Sequence, residues 1–154
     1  MRVLIVNTYV QCALNVIAKE TGLEVQRGDL QVEGNPYTTD DVTAVIGISG
    51  SLRGSLYISM TEPTALKLIG AIMGQEKDEL DELGQSGIAE MANVIAGIAG
   101  IELSVDGYQT TINPPLVLVG RGARLSTVEI QRLVVPLTTS HGVVKLHIAL
   151  RETS

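Results

Sequence analysis

The sequence has no tryptophan and no phenylalanine, and only four tyrosines, in 154 residues. Its core must be aliphatic, and the aromatic platforms on which unpaired bases stack are missing. Cations are scarce too: 11 Lys and Arg stand against 17 Asp and Glu, for a net charge of −6. Nucleic-acid binding rests on neutralising phosphates with basic residues, so that class is set aside. The single cysteine, Cys12, has no partner for an internal disulfide, which points to a reducing, cytoplasmic setting. Long apolar runs are also lacking. The stretch 94–101 is bounded by Asn93 and Glu102, and the amino-terminal Val3-Leu4-Ile5-Val6 gives way to Asn7, Thr8 and Gln11 before it reaches signal length. We therefore expect neither a membrane span nor a membrane anchor.

What is present is a chain with 45% hydrophobic and 18% charged residues, too apolar for disorder and long enough to bury a core unaided. Asn7 reads as the N-cap of a helix with the apolar stripe Val10, Ala13, Leu14 and Ile17, stopped by Gly22. A short strand is expected over 29–32, then strands over 42–48 and 55–60 joined by the loop 49–54. Thr61 with Pro63 opens a helix ending at Gly74, and 78–81 opens the longest helix, ending near 105–107. Strands follow over 116–119, 128–137 and 143–150, the last two joined by Ser140-His141-Gly142.

Residues 15–25 align without gaps on residues 93–103, an offset of 78, about half the chain. Each copy precedes a strand pair, so the expected domain is a single α+β unit built from two related halves, 1–77 and 78–154. Long helices should pack on an antiparallel-rich sheet, because neither half can bury both faces alone.

One constellation resembles chemistry. In the long helix, Ile88, Met91, Ile95 and Ile98 mark a buried face, and Ser86, Glu90, Asn93 and Gly97 form a second stripe nearly opposite. Ser, Asn and Gly each give up roughly 0.5–1 kcal/mol of helix propensity relative to Ala. A flat face of small residues carrying one carboxylate and one carboxamide suits the close approach of another protein.

These residues carry a family resemblance. Leu80-Asp81-Glu82-Leu83 through Ser86, Glu90, Asn93 and Ala96-Gly97, followed by Pro114-Pro115 and Val119-Gly120, resembles the signature of the CheC/CheX/FliY chemotaxis phosphatases, most closely their CheX-like members. Leu116 departs from the small polar residue expected after Pro-Pro. The resemblance implies a CheC-like fold and hydrolysis of the phosphoaspartate on a CheY-like response-regulator receiver domain. It implies that Asn93 orients the attacking water, that Glu90 pairs with the receiver's active-site lysine, and that Ser86 and Gly97 leave room for the partner. Mg²⁺ is then expected on the receiver, with no metal or cofactor of the chain's own, and a homodimer is implied. The alternative is a receiver- or switch-binding module of the same fold that hydrolyses nothing. Shifting by 78 lays Asn93 over Asn15 but Glu90 over Cys12, so one active site per chain is expected. Cys12 reads as a bystander. His141 and His147 lack acidic or cysteine companions at ligand spacing, and 47–54 matches no phosphate-binding loop.

Overall fold

The computed structural model describes residues 2–34, 36–127 and 130–153. Three helices, α1 (Val3–Thr21), α2 (Glu62–Met73) and α3 (Glu82–Val105), lie against one face of an eight-stranded antiparallel sheet. Its strands are β1 (Gln26–Arg27), β2 (Gln31–Glu33), β4 (Val42–Gly50), β5 (Leu52–Met60), β6 (Thr110–Ile112), β7 (Leu116–Val119), β9 (Arg132–Thr139) and β10 (Gly142–Glu152). The order is β1-β9-β10-β5-β4-β6, with β2 also on β9 and β7 also on β4. A small ribbon of β3 (Tyr37–Thr38) and β8 (Arg124–Leu125) completes the fold.

Strand alternation sorts the two sheet faces. Leu56, Ile58 and Met60 of β5 and Val144, Leu146 and Ile148 of β10 join the core shared with the helices. Tyr57, Ser59 and His147 point the other way, where the Tyr37 ring of β3 lies 4.5 Å from the His147 ring, tilted 49° to it. α3 is the one helix among the described residues long and apolar enough to cross a membrane by composition. Here its apolar side, with Ile88, Met91 and Ile95 fully buried, belongs to the core.

Exchanging β1–β5 with β6–β10 turns the strand order back onto itself, β2 on β9 becoming β7 on β4. The helices and hairpins do not keep one spacing, however: β5 and β10 begin at Leu52 and Gly142, 90 residues apart. The gap-free overlay of 15–25 on 93–103 covers helix in both copies only to Thr21 and Ala99. Gly22 caps α1 in the left-handed conformation, φ 73°, whereas its counterpart Gly100 lies inside α3.

Several sequence expectations need correction. α1 begins four residues before Asn7, because Ile5 and Val6 are buried and carry the apolar stripe back towards Arg2. Asn7 is a helix-interior residue whose Oδ1 accepts from Arg27 Nη1 at 3.2 Å. The loop expected over 49–54 shrinks to Ser51, since β4 and β5 stay paired as far as Ile48 and Gly54. Gly54 (φ 144°) permits this: a Cβ there would run into the Ala149 carbonyl of β10. β9 starts at Arg132, and of the strand expected over 128–137, residues 128–129 fall outside the described residues. The aliphatic carboxy-terminal strands, from which exposed edges and pairing with a second chain are expected, are instead interior to the sheet as β9 and β10. The short β1, β3, β6 and β8 were not foreseen.

Candidate active site

The Asp81 carboxylate accepts from the Gly84 N–H at 2.8 Å, capping α3, and Glu82 adds negative charge to its first turn. The buried face is Ile88, Met91, Ala92, Ile95, Ala96, Ala99 and Leu103. Ile98, expected there, is 40% exposed, and Ala99 takes its place because a 3.6-residue period carries the stripe past position 98. On the opposite side Ser86 and Glu90 are exposed, and Asn93 and Gly97 half-buried. Their separation along the axis is about 16 Å, with Glu90 and Asn93 about 4.5 Å apart at 1.5 Å rise per residue.

Among the described residues the side chains of Ser86, Glu90 and Asn93 make no hydrogen bond or ion pair. Their donors and acceptors are committed to nothing inside the fold. The four glycines of α3 divide on the same question. A Cβ at Gly84, Gly87 or Gly100 would meet Leu80 Cδ1 at 3.1 Å, Ile69 Cδ1 at 2.8 Å or Thr110 Oγ1 at 2.9 Å. At Gly97 it would meet nothing within 4 Å, so no internal packing requires glycine there. Two grooves flank the stripe. One, of about 340 Å³, lies beside Ser86, Ala89 and Val117; the other, of about 290 Å³, runs from Gly97 along α3 towards β6.

The structure adds a residue that sequence reasoning missed. Glu20, near the end of α1, has its carboxyl pKa raised, first by burial and then by the charge of Glu90, with Lys19 opposing. Nothing local marks Glu20; its proximity to Glu90 comes from the packing of α1 on α3.

The face of α1 is built differently. Gln11 Nε2 donates to Asn15 Oδ1 at 2.9 Å, so the Asn15 amide is already engaged. Cys12, overlaid on Glu90 by the 78-residue shift, is buried rather than outward-facing, and its Sγ lies 3.6 Å from Glu102 Oε2. Burial, then the Glu102 charge and that hydrogen bond, push the thiol up to about 12, leaving it unreactive at neutral pH.

Ser59 Oγ lies 2.8 Å from His147 Nε2, an arrangement that superficially imitates a nucleophile and its base. The partner on the other ring nitrogen decides otherwise. Arg132 Nη1 sits 2.8 Å from His147 Nδ1, and a guanidinium can only donate, so Nδ1 is the acceptor and the ring proton is on Nε2, donating to Ser59. The imidazole cannot take a proton from that serine. Burial, followed by the Arg132 and Lys145 charges, lowers its pKa to about 3. Arg132 also donates to the Gly34 carbonyl at 2.8 Å and lies over the Tyr37 ring at 4.6 Å. This cluster clamps the sheet's outer face. No group of three or more His, Cys, Asp or Glu able to hold a metal occurs among the described residues.

An exposed helix face with an uncommitted carboxylate and carboxamide one turn apart, flanked by open grooves, suits work on a group presented by another macromolecule. The model of the chemotaxis phosphatase CheX family matches residues 42–138, which contain that whole face. The chain belongs to the CheX family. It is 32% identical over 124 residues to the CheY-P phosphatase CheX of Thermotoga maritima, covering 80% of each chain. Its fold matches a CheC-like superfamily protein from Shewanella sp. PV-4, with TM-score 0.88, 25% identity, and 98% and 99% of the two chains covered. It also matches a chain of the CheX-CheY-BeF3-Mg complex from Borrelia burgdorferi, with TM-score 0.85, 24% identity, and 98% and 100% covered. The α+β, CheC-like architecture expected from the sequence is therefore the observed one.

Proposed function

We propose that this CheX-family chain hydrolyses the phosphoaspartate of a CheY-like receiver domain. The carrying observation is the juxtaposition of Glu90 and Asn93 on an exposed face of α3, with neither side chain hydrogen-bonded or ion-paired among the described residues. An acyl phosphate is already activated, so catalysis is chiefly the positioning of water in line with the phosphorus. The Asn93 carboxamide both donates and accepts, and so holds that water. The water oxygen bonds to phosphorus as the bond to the aspartyl oxygen breaks. The aspartate leaves as carboxylate, and the water's proton departs with phosphate or to solvent. Glu90 pairs with the receiver's active-site lysine and fixes the register of the complex. Ser86 and Gly97 keep the approach clear. Mg²⁺ belongs to the receiver in this reading, a role supported by its presence in the Borrelia burgdorferi CheX-CheY-BeF3-Mg complex.

The finer readings are a cytoplasmic homodimer and a chain made of two related halves, 1–77 and 78–154, each half carrying one set of exchangeable strands. The dimer is supported by the exposed apolar residues at both ends of the sheet, Val32 on β2 and Leu116 and Val119 on β7. Light scattering of the purified chain tests it, and a monomeric mass refutes it.

The test of the activity is phosphate release from a phosphorylated receiver in Mg²⁺. Wild type accelerates release over intrinsic decay, and both Asn93→Ala and Glu90→Ala reduce the acceleration. Binding without acceleration would instead identify a docking module.

A further inference from the structure

The face that carries Glu90 and Asn93 continues beyond Gly97 into the groove between α3 and β6. Gly97 and Gly100 contribute no side chains to it; Ala96, Ile101 and Ile112 are its apolar lining, and Ser104, Gln109 and Thr110 its polar one. Ile101 is 70% exposed. At 100° per residue Ile101 falls within about 20° of Glu90 around the helix, and it stands about 12 Å along the axis from Asn93.

A standard interface takes about 800 Å² from each partner, a patch of about 16 Å radius. Any receiver centred on Asn93 therefore covers Ile101 and the groove. Two polar groups do not by themselves hold a complex, whose affinity ordinarily concentrates in apolar anchors seated in pockets beside the polar contacts. Resting on the phosphatase reading above, we infer that this groove seats an apolar side chain of the receiver domain, with Ile101 as the apolar residue that adds affinity to the Glu90 ion pair. Chemistry and affinity are thus divided along one helix, Asn93 acting on the water and the Gly97–Ile101 turn holding the partner.

The experiment measures phosphate release over a range of concentrations of a CheY-like receiver phosphorylated with acetyl phosphate in Mg²⁺. Wild type, Ile101→Gln, Ile101→Val, Asn93→Ala and Val143→Gln are compared, with circular dichroism confirming folding. Val143 is 40% exposed on β10, away from the groove, and serves as control. Ile101→Gln should raise the half-saturating receiver concentration about tenfold, as expected for withdrawing about 60 Å² or more of buried apolar contact. Ile101→Val, which withdraws a single CH2, should stay within about fourfold by the same reckoning, and Val143→Gln within about twofold. If Asn93→Ala abolishes acceleration while Ile101→Gln leaves the half-saturating concentration unchanged, the inference fails and the phosphatase reading stands. If wild type itself gives no acceleration, that reading fails and carries this one with it. A change of molar mass in Ile101→Gln by light scattering would assign the groove to a second copy of the chain and overturn the inference.

Discussion

Replacing Gly97 by alanine separates what the fold needs from what the partner needs. The position is mid-helix, and an added Cβ meets nothing within 4 Å. The fold should gain the propensity difference, about 0.8–1 kcal/mol, because alanine loses less backbone entropy in a helix than glycine. For a chain of this size that is a rise of roughly 2–4 °C in Tm. The same methyl group projects about 1.5 Å into the space that a docked receiver occupies. Phosphate release at fixed receiver concentration should therefore fall about tenfold, equivalent to about 1.4 kcal/mol. Gly100→Ala is the comparator, since its Cβ meets Thr110 Oγ1 at 2.9 Å and packing strain opposes the helix gain. Calorimetry and phosphate-release kinetics on both variants decide the matter. A Gly97→Ala protein with higher Tm and undiminished activity would refute the clearance argument; a lower Tm would refute the statement that the fold leaves this site open.

Asn93→Ala should lower the rate at saturating receiver by about 100-fold, within the range for a lost positioning group. Glu90→Ala should chiefly raise the half-saturating concentration, by tenfold or more, about 1.4 kcal/mol; the opposite assignment in a saturation curve would undo the division of roles. His147 supplies an acid limb of stability. With its pKa lowered from 6.5 to about 3 in the folded chain, the unfolded chain binds the extra proton between those values. Stability is then complete above pH 6.5 and falls by about 1.4 kcal/mol per pH unit as pH drops towards 3. Urea titrations between pH 6.5 and 5, above the ordinary carboxylate range, should show this slope in wild type and lose it in His147→Gln. Cys12 should resist iodoacetamide at pH 8 in the native protein and react once unfolded; rapid native alkylation would contradict its buried setting.

Much of α3 was legible because its signals are local. Asp81 caps it, the apolar stripe recurs at helical spacing, and Ser86, Glu90, Asn93 and Gly97 follow from the same geometry. Local signals also misled. Asn7 has the chemistry of an N-cap, but burial of Ile5 and Val6 against the rest of the chain outweighs one capping bond. β1, β3, β6 and β8 are two or three residues each and exist through partners far away in sequence, so no pattern of their own announces them. The same holds for the contact of Ser59, Arg132 and His147, which the β9-β10-β5 adjacency creates, and for Glu20 beside Glu90. Family likeness supplied the roles of Glu90 and Asn93; spacing alone showed only that they share an exposed face.

The strand order has a consequence for how the chain can come apart. β1 and β2, which precede α2, pair with β9, which follows it, while β6 and β7 pair back onto β4. Each side of α2 thus borrows its outermost strands from the other, as in two protomers that have traded arms. A cut in the link between α2 and α3 should yield fragments that are insoluble or unfolded singly and that regain the native circular dichroism only when mixed. The molecule should likewise melt in one transition, because neither side retains a complete sheet once the other is lost.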